Sequence, residues 1–278
     1  MREKRCVSLA KQAAGFAAMT FVPRLDERVR IGLILGTGWG DTVTLEGERC
    51  IALKRIPGFE ALGELEGHRR ELCVGTLAGK TVLVQRGRIH CYEGNLELVG
   101  LQVDLMHALG VRTLIGCAAV GSMLDEPMPE PGRVVAFDGF CPLFGGPVPG
   151  YVGEFFCSDA ALDPELIGIA LAAERNGLEV VTGGHAMIRG PDFAGPKYGY
   201  RLLRQSGADY VGMSLRPEAH EVACYSDHPD KRTRMLALGN VTDTARDHLT
   251  HQLVLERACK QAPLLGAFLT DIVRRLPE

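Results

Sequence analysis

Four apolar runs in this chain end in small or hydroxylic residues and a fifth in an Arg- and His-bearing glycine turn, and that repeated pattern constrains the fold more than any single motif. Ile31–Leu35 leads into Gly36-Thr37-Gly38-Trp39-Gly40, and residues 81–85 lead into Arg86-Gly87-Arg88-Ile89-His90. Residues 111–115 lead into Cys117-Ala118-Ala119-Val120-Gly121-Ser122. Val211-Gly212-Met213-Ser214 closes a fourth run and Leu236-Ala237-Leu238-Gly239-Asn240 a fifth. Short apolar runs of this kind read as buried strands. In an open α/β sheet, ligands bind outside the carboxyl ends of such strands.

The segments between the runs have helical apolar spacing over 96–109, 164–175, 196–205, 216–225 and about 243–275. Asp163 is placed to cap the second, and Pro263 to kink or interrupt the last. The Pro- and Gly-rich stretch 142–153 reads as a loop, because no shift in composition separates two cores around it. With 46% hydrophobic residues, a chain of 278 can bury a large core, and the expectation is one α/β domain over 1–278.

Composition excludes several classes of function. Lys and Arg number 31 against 34 Asp and Glu, a net charge of −3, with no basic stripe for nucleic acid. The charged start Met1-Arg2-Glu3-Lys4-Arg5 is followed by Lys11 and Gln12 rather than a long apolar region. Neither a signal peptide nor a membrane span is expected, and the expectation is a cytoplasmic chain without a membrane partner. Nine cysteines, at 6, 50, 73, 91, 117, 141, 157, 224 and 259, include no C-x-x-C pair. They read as reduced thiols, several of them buried, rather than a disulfide framework. His248 and His251 lie three apart on one helix face, but no H-E-x-x-H pattern accompanies them, so no metal is expected.

Arg88 and His90 project to one side of an extended segment and can clamp a small anion. Taken alone, they fit a strand end with solvated charges equally well. Gly36-Thr37-Gly38 is neither G-x-G-x-x-G nor a P-loop. It can offer backbone N–H groups and the Thr37 hydroxyl to an anion, or form a tight turn.

The order Gly36-Thr37-Gly38-Trp39-Gly40, Gly67-His68, Gly87 to Gly94, Ala118-Ala119-Val120-Gly121, Gly190-Pro191-Asp192-Phe193, Val211-Gly212-Met213-Ser214 and Gly239-Asn240 resembles the trimeric class of purine nucleoside phosphorylases. Their superfamily also contains the methylthioadenosine phosphorylases. The likeness runs over nearly the whole chain. It implies a single domain with a central mixed β-sheet flanked by helices, a homotrimer, and phosphorolysis of a purine nucleoside. Inorganic phosphate would be a co-substrate, and no cofactor is implied.

By the same resemblance, phosphate falls to Thr37, His68, Arg88, His90, the Ala118 N–H and Ser214, and the sugar to Tyr92 and Met213. Phe193 would lie against the base and Asn240 would bond its N7 or O6, with His90 and Asn240 as the catalytic pair. Val152 stands at the family's cross-subunit aromatic position, and Tyr151 beside it is expected to take that lid role across a subunit boundary.

The base end departs from the family pattern. Ala194 stands where the 6-oxopurine enzymes carry a Glu, Val120 replaces a Gly, and Asn240 follows Gly239 rather than the usual Thr. Asp192, Lys197 and Asp243 are nearby in sequence, with no indication of which points inward. His251 resembles the family's 5′-hydroxyl His at shortened spacing, with His248 or an apolar neighbour as rivals for the position. Two alternatives follow: a methylthioadenosine or methylthioinosine phosphorylase, and a non-catalytic nucleoside- or phosphate-binding paralogue. A complete anion clamp argues against the second.

Overall fold

The computed structural model describes residues 2–21, 29–63, 69–124, 132–141, 157–174, 176–190, 192–193, 198–225, 232–244, 247 and 250–277. The chain opens with helix α1 (Arg2–Phe21), then strands β1 (Ile31–Leu35), β2 (Glu46–Ala52), β3 (Glu71–Leu77) and β4 (Lys80–Arg86). Helix α2 (Leu96–Ala108), β5 (Thr113–Ser122), β6 (Val134–Cys141), α3 (Pro164–Ala172) and β7 (Val180–Met187) follow. The chain ends with α4 (Gly199–Gln205), β8 (Tyr210–Gly212), α5 (Arg216–Ala223), β9 (Arg234–Thr244) and α6 (His251–Arg275).

All nine described strands join one mixed sheet in the order β2-β3-β4-β1-β5-β8-β7-β6-β9, and β9 returns to pair with β5. One half is therefore an open sheet and the other closes on itself through β5, β8, β7, β6 and β9, rather than forming one open sheet throughout. β1 is parallel to both β4 and β5, while β8 runs antiparallel to β5. Side chains alternate across β1: Ile34 faces the core beneath α1, α2 and α5, and Leu33 and Leu35 face the core beneath α3 and α6. Asp163 caps α3 as expected, accepting from Glu165 N and Leu166 N. Asn95 does the same for α2.

Two strands extend past their expected ends. β5 continues through Ala118–Val120, which looked like the loop after a strand, because every residue from Thr113 to Val120 pairs with β9. β9 runs on to Thr244, so the last helix starts at His251 rather than near 243. Val241, Thr242 and Thr244 are β-branched, which suits a pleated strand better than a helix. The helix then continues through Pro263 without interruption.

The cysteine expectation is also corrected. Cys50 and Cys73 stand opposite each other on β2 and β3 and form a disulfide, with Cα atoms 4.1 Å apart. Their separation of 23 residues hid the pairing, since antiparallel register brings together positions that no short motif links. Cys91, Cys117, Cys141, Cys157, Cys224 and Cys259 are thiols outside this disulfide. No described helix is long and apolar enough to cross a membrane.

Candidate active site

The carboxyl ends of β1, β4 and β5 converge on a cavity of about 510 Å³. Gly87 at φ +95° turns the chain past β4, and its N–H donates to Leu35 O, carrying the parallel pairing one residue beyond the strand. Arg86 and Arg88 then have different roles. Arg86 donates to Glu48 Oε1 and to the carbonyls of Gly40 and Val43, which fixes the loop after β1. Arg88 lines the cavity and donates through Nη1 to Ser214 Oγ at 2.6 Å and through Nη2 to Ile34 O at 3.3 Å. Because Ser214 accepts from Arg88, its own proton remains available to an oxyanion.

Gly36 is required by close approach: a Cβ there would meet Cys117 O at 2.8 Å and Arg88 Cζ at 3.4 Å. Trp39, fully buried, donates its indole N–H to Ala118 O at 2.9 Å, tying the β1 loop to β5 where Ala118 lines the cavity. Thr37 lines it from the same loop. Trp39 was visible in the motif, but its role depends on a contact 79 residues away.

His90 and Tyr92 stack at 4.7 Å on the next wall. Burial pulls His90 below the ordinary histidine range, opposed by its bond to Glu93. Glu93 accepts from the His90 backbone N–H at 2.7 Å and from Arg70 at 2.6 Å. Burial alone would raise the Glu93 carboxyl, but the bonds from His90 and Arg70 hold it down at about 2. Tyr92 and Met213 meet over Gly190, at φ +68°, where a Cβ would lie 2.8 Å from Met213 Sδ and 3.1 Å from Tyr92 Cδ1. Met213 and Phe193 both line the cavity.

Thr37, Arg88, His90, Tyr92, Ala118, Phe193, Met213 and Ser214 are thus brought together around one space. His68, Ala194, Tyr151 and His248 lie outside the described residues. His251 heads α6, and its side chain is likewise outside them. Asn240 is the correction. It is buried in the middle of β9, paired with Ala119 on one side and Val134 on the other, and does not line the cavity.

Two residues later the register of β9 shifts: Val120 pairs with Val241 but Gly121 with Asp243, leaving Thr242 as the extra residue of a bulge. Thr242 and Asp243 therefore both face the cavity. The missing Thr before Asn240 was the signal, because Thr242-Asp243 keeps that Thr with Asp in place of Asn. Asp243 accepts from Thr242 Oγ1 at 2.9 Å and from Tyr200 Oη at 3.3 Å. Burial raises its pKa above the ordinary aspartate value. At the far end Thr250 and Val254, beside the start of α6, complete the lining.

The donors for a metal are poor by comparison. Among the described residues Glu48, Cys50 and Cys73 cluster, but both sulfurs are taken up by the disulfide.

Residues 30–274 match the phosphorylase superfamily. The chain belongs to that superfamily. It is 35% identical over 261 residues to purine nucleoside phosphorylase 1 of Geobacillus stearothermophilus, covering 90% of this chain and 92% of the relative. It is 35% identical to the Bacillus subtilis (strain 168) protein of the same name over 211 residues, covering 73% of this chain and 76% of that one. Among solved structures, the Schistosoma mansoni purine nucleoside phosphorylase in complex with inosine superposes with a TM-score of 0.80 at 26% identity. That match covers 98% of this chain and 97% of the other.

Proposed function

We propose that this member of the phosphorylase superfamily cleaves the N-glycosidic bond of a purine nucleoside with inorganic phosphate, giving free base and a pentose 1-phosphate. The observation that carries the reading is the convergence of Arg88, Ser214, Thr37 and Ala118 on a cavity that Tyr92, Phe193 and Met213 also line, with Asp243 as a further polar group. Arg88 and the free proton of Ser214 bind phosphate oxygens, and the nearby backbone fixes the anion beneath C1′. As the glycosidic bond breaks, positive charge grows on the sugar, and the bound phosphate both stabilises it and attacks. Tyr92 and Met213 support the ribose, and Phe193 lies against the base. His90, neutral through burial, can donate to a phosphate or sugar oxygen without adding a full charge. The expected homotrimer and cytoplasmic setting remain part of this proposal, and phosphate is the co-substrate in place of any cofactor.

A second, narrower reading is favoured by Asp243 and Val254. Asp243 takes over the base contact assigned to Asn240. Protonated, its carboxyl donates to a ring nitrogen of the departing purine. Ionised, it accepts from an exocyclic 6-amino group and repels a 6-oxo group. Val254 gives the 5′ end an apolar neighbour, which suits a 5′-methylthio group better than a hydroxyl. Turnover of inosine, guanosine, adenosine and 5′-methylthioadenosine with and without phosphate tests both readings. Phosphate-dependent release of base is expected, with the 6-aminopurines preferred. Release without phosphate overturns the first reading, and preference for inosine or guanosine overturns the second.

A further inference from the structure

Glu218 has no part in the chemistry above, yet it sits against the residue most central to it. Its Oε1 lies 3.3 Å from Arg88 Nε, and each side chain is 1% exposed. The contact is one of charge without a hydrogen bond: Arg88 Nε and both Glu218 carboxylate oxygens are buried with no hydrogen-bond partner among the described residues. The backbone builds this arrangement deliberately. Leu215, fully buried, adopts φ +70°, a conformation a branched residue avoids, and α5 starts immediately afterwards with Pro217 in its first turn. The turn sets Ser214 on one edge of the Arg88 guanidinium and Glu218 against its Nε.

A buried guanidinium requires a counter-charge. Substrate phosphate supplies one only while it is bound. We propose that Glu218 is a built-in counter-anion for Arg88, neutralising it while the cavity is empty and weakening the hold on phosphate and on the pentose phosphate product so that both can leave. The inference rests on the phosphorolysis reading of the cavity. Glu218 is a positioning and affinity-setting residue here, since it acts through Arg88. Loss of its charge leaves Arg88 anchored by Ser214 Oγ and Ile34 O.

The test is calorimetric titration with inorganic phosphate, without nucleoside, on wild type, Glu218→Gln and Glu218→Met, together with melting temperatures with and without phosphate. The Met variant removes the same charge with a side chain of similar length, and both variants can be prepared in sulfate should they need an anion to fold. Each variant should melt lower than wild type when free, bind phosphate about tenfold tighter and gain more from saturating phosphate. The phosphate KM should fall without a rise in kcat. A merely structural carboxylate predicts unchanged or weaker phosphate binding in both variants, and that result overturns the role of Glu218 alone. Wild type that binds no phosphate overturns the phosphorolysis reading, and this inference with it.

Discussion

The two ends of the cavity are built on different terms. At the anion end polar groups are braced by other elements: Arg88 by Ser214 and Ile34, Glu93 by Arg70, and Ala118 by Trp39. On the proposed reading, recognition at the base end rests on Asp243, held by Thr242 and Tyr200 at a bulge. The first arrangement fixes a charge shared by every substrate of a phosphorolysis. The second can change identity through one register shift or one substitution, and with it the base that is read. A fold can therefore keep its reaction while its substrate drifts, provided the two functions occupy separate walls.

The largest expected effect is at the anion end. Arg88→Ala should lower kcat/KM for phosphate about 10²–10³-fold, as read from initial rates at varied phosphate. It should also leave Glu218 buried and unpaired, costing ~3–5 kcal/mol by chemical denaturation. A variant that loses activity but not stability would show that the Arg88–Glu218 contact contributes nothing to folding.

Asp243→Asn comes next. Exchanging a charged hydrogen bond for a neutral amide should cost 6-aminopurine turnover ~1.5–3 kcal/mol, or about one to two decades, and improve inosine relative to it. An unchanged ratio of adenosine to inosine turnover would place base reading elsewhere and break the contrast between the two ends.

Val254→His should shift preference from a 5′-methylthio to a 5′-hydroxyl nucleoside by about tenfold, since one apolar contact in a pocket is worth ~1–3 kcal/mol. Competition between the two substrates reads it directly.

The smallest effect concerns acid stability. The Glu93 carboxyl, at about 2 in the folded chain against an ordinary 4.5, lends stability above the unfolded value. That contribution is lost as pH falls from 4.5 through 2. Glu93→Gln should flatten this part of the stability curve, as read by chemical denaturation across that acid range.

The anion end was the more legible in sequence because its residues lie in short, ordered motifs at strand ends. Arg88, His90 and Ser214 could be named from local pattern and resemblance, and the cavity brings them together. What brings them together was not legible: Glu218, Glu93 and Trp39 act through neighbours that chain order does not reveal. At the base end, the bulge at Thr242 moved the inward-facing position from Asn240 to Asp243. No local rule predicts where a ladder slips by one residue. The same limit hid the disulfide, the ring closure and the extension of β5, since Ala118, Ala119 and Gly121 are small enough to read as a loop until β9 is seen beside them.

The closure of β5 and β9 has a consequence for how the molecule breathes. β5 is bonded to β1, β8 and β9, so Ala118 belongs to a strand that cannot detach from one neighbour while the others hold. Its amides should be among the last to exchange with deuterated solvent, opening only when the whole molecule does. On the proposed phosphorolysis, the floor on which phosphate rests would then stay still through every turnover, and entry and escape would draw on motion elsewhere around the cavity.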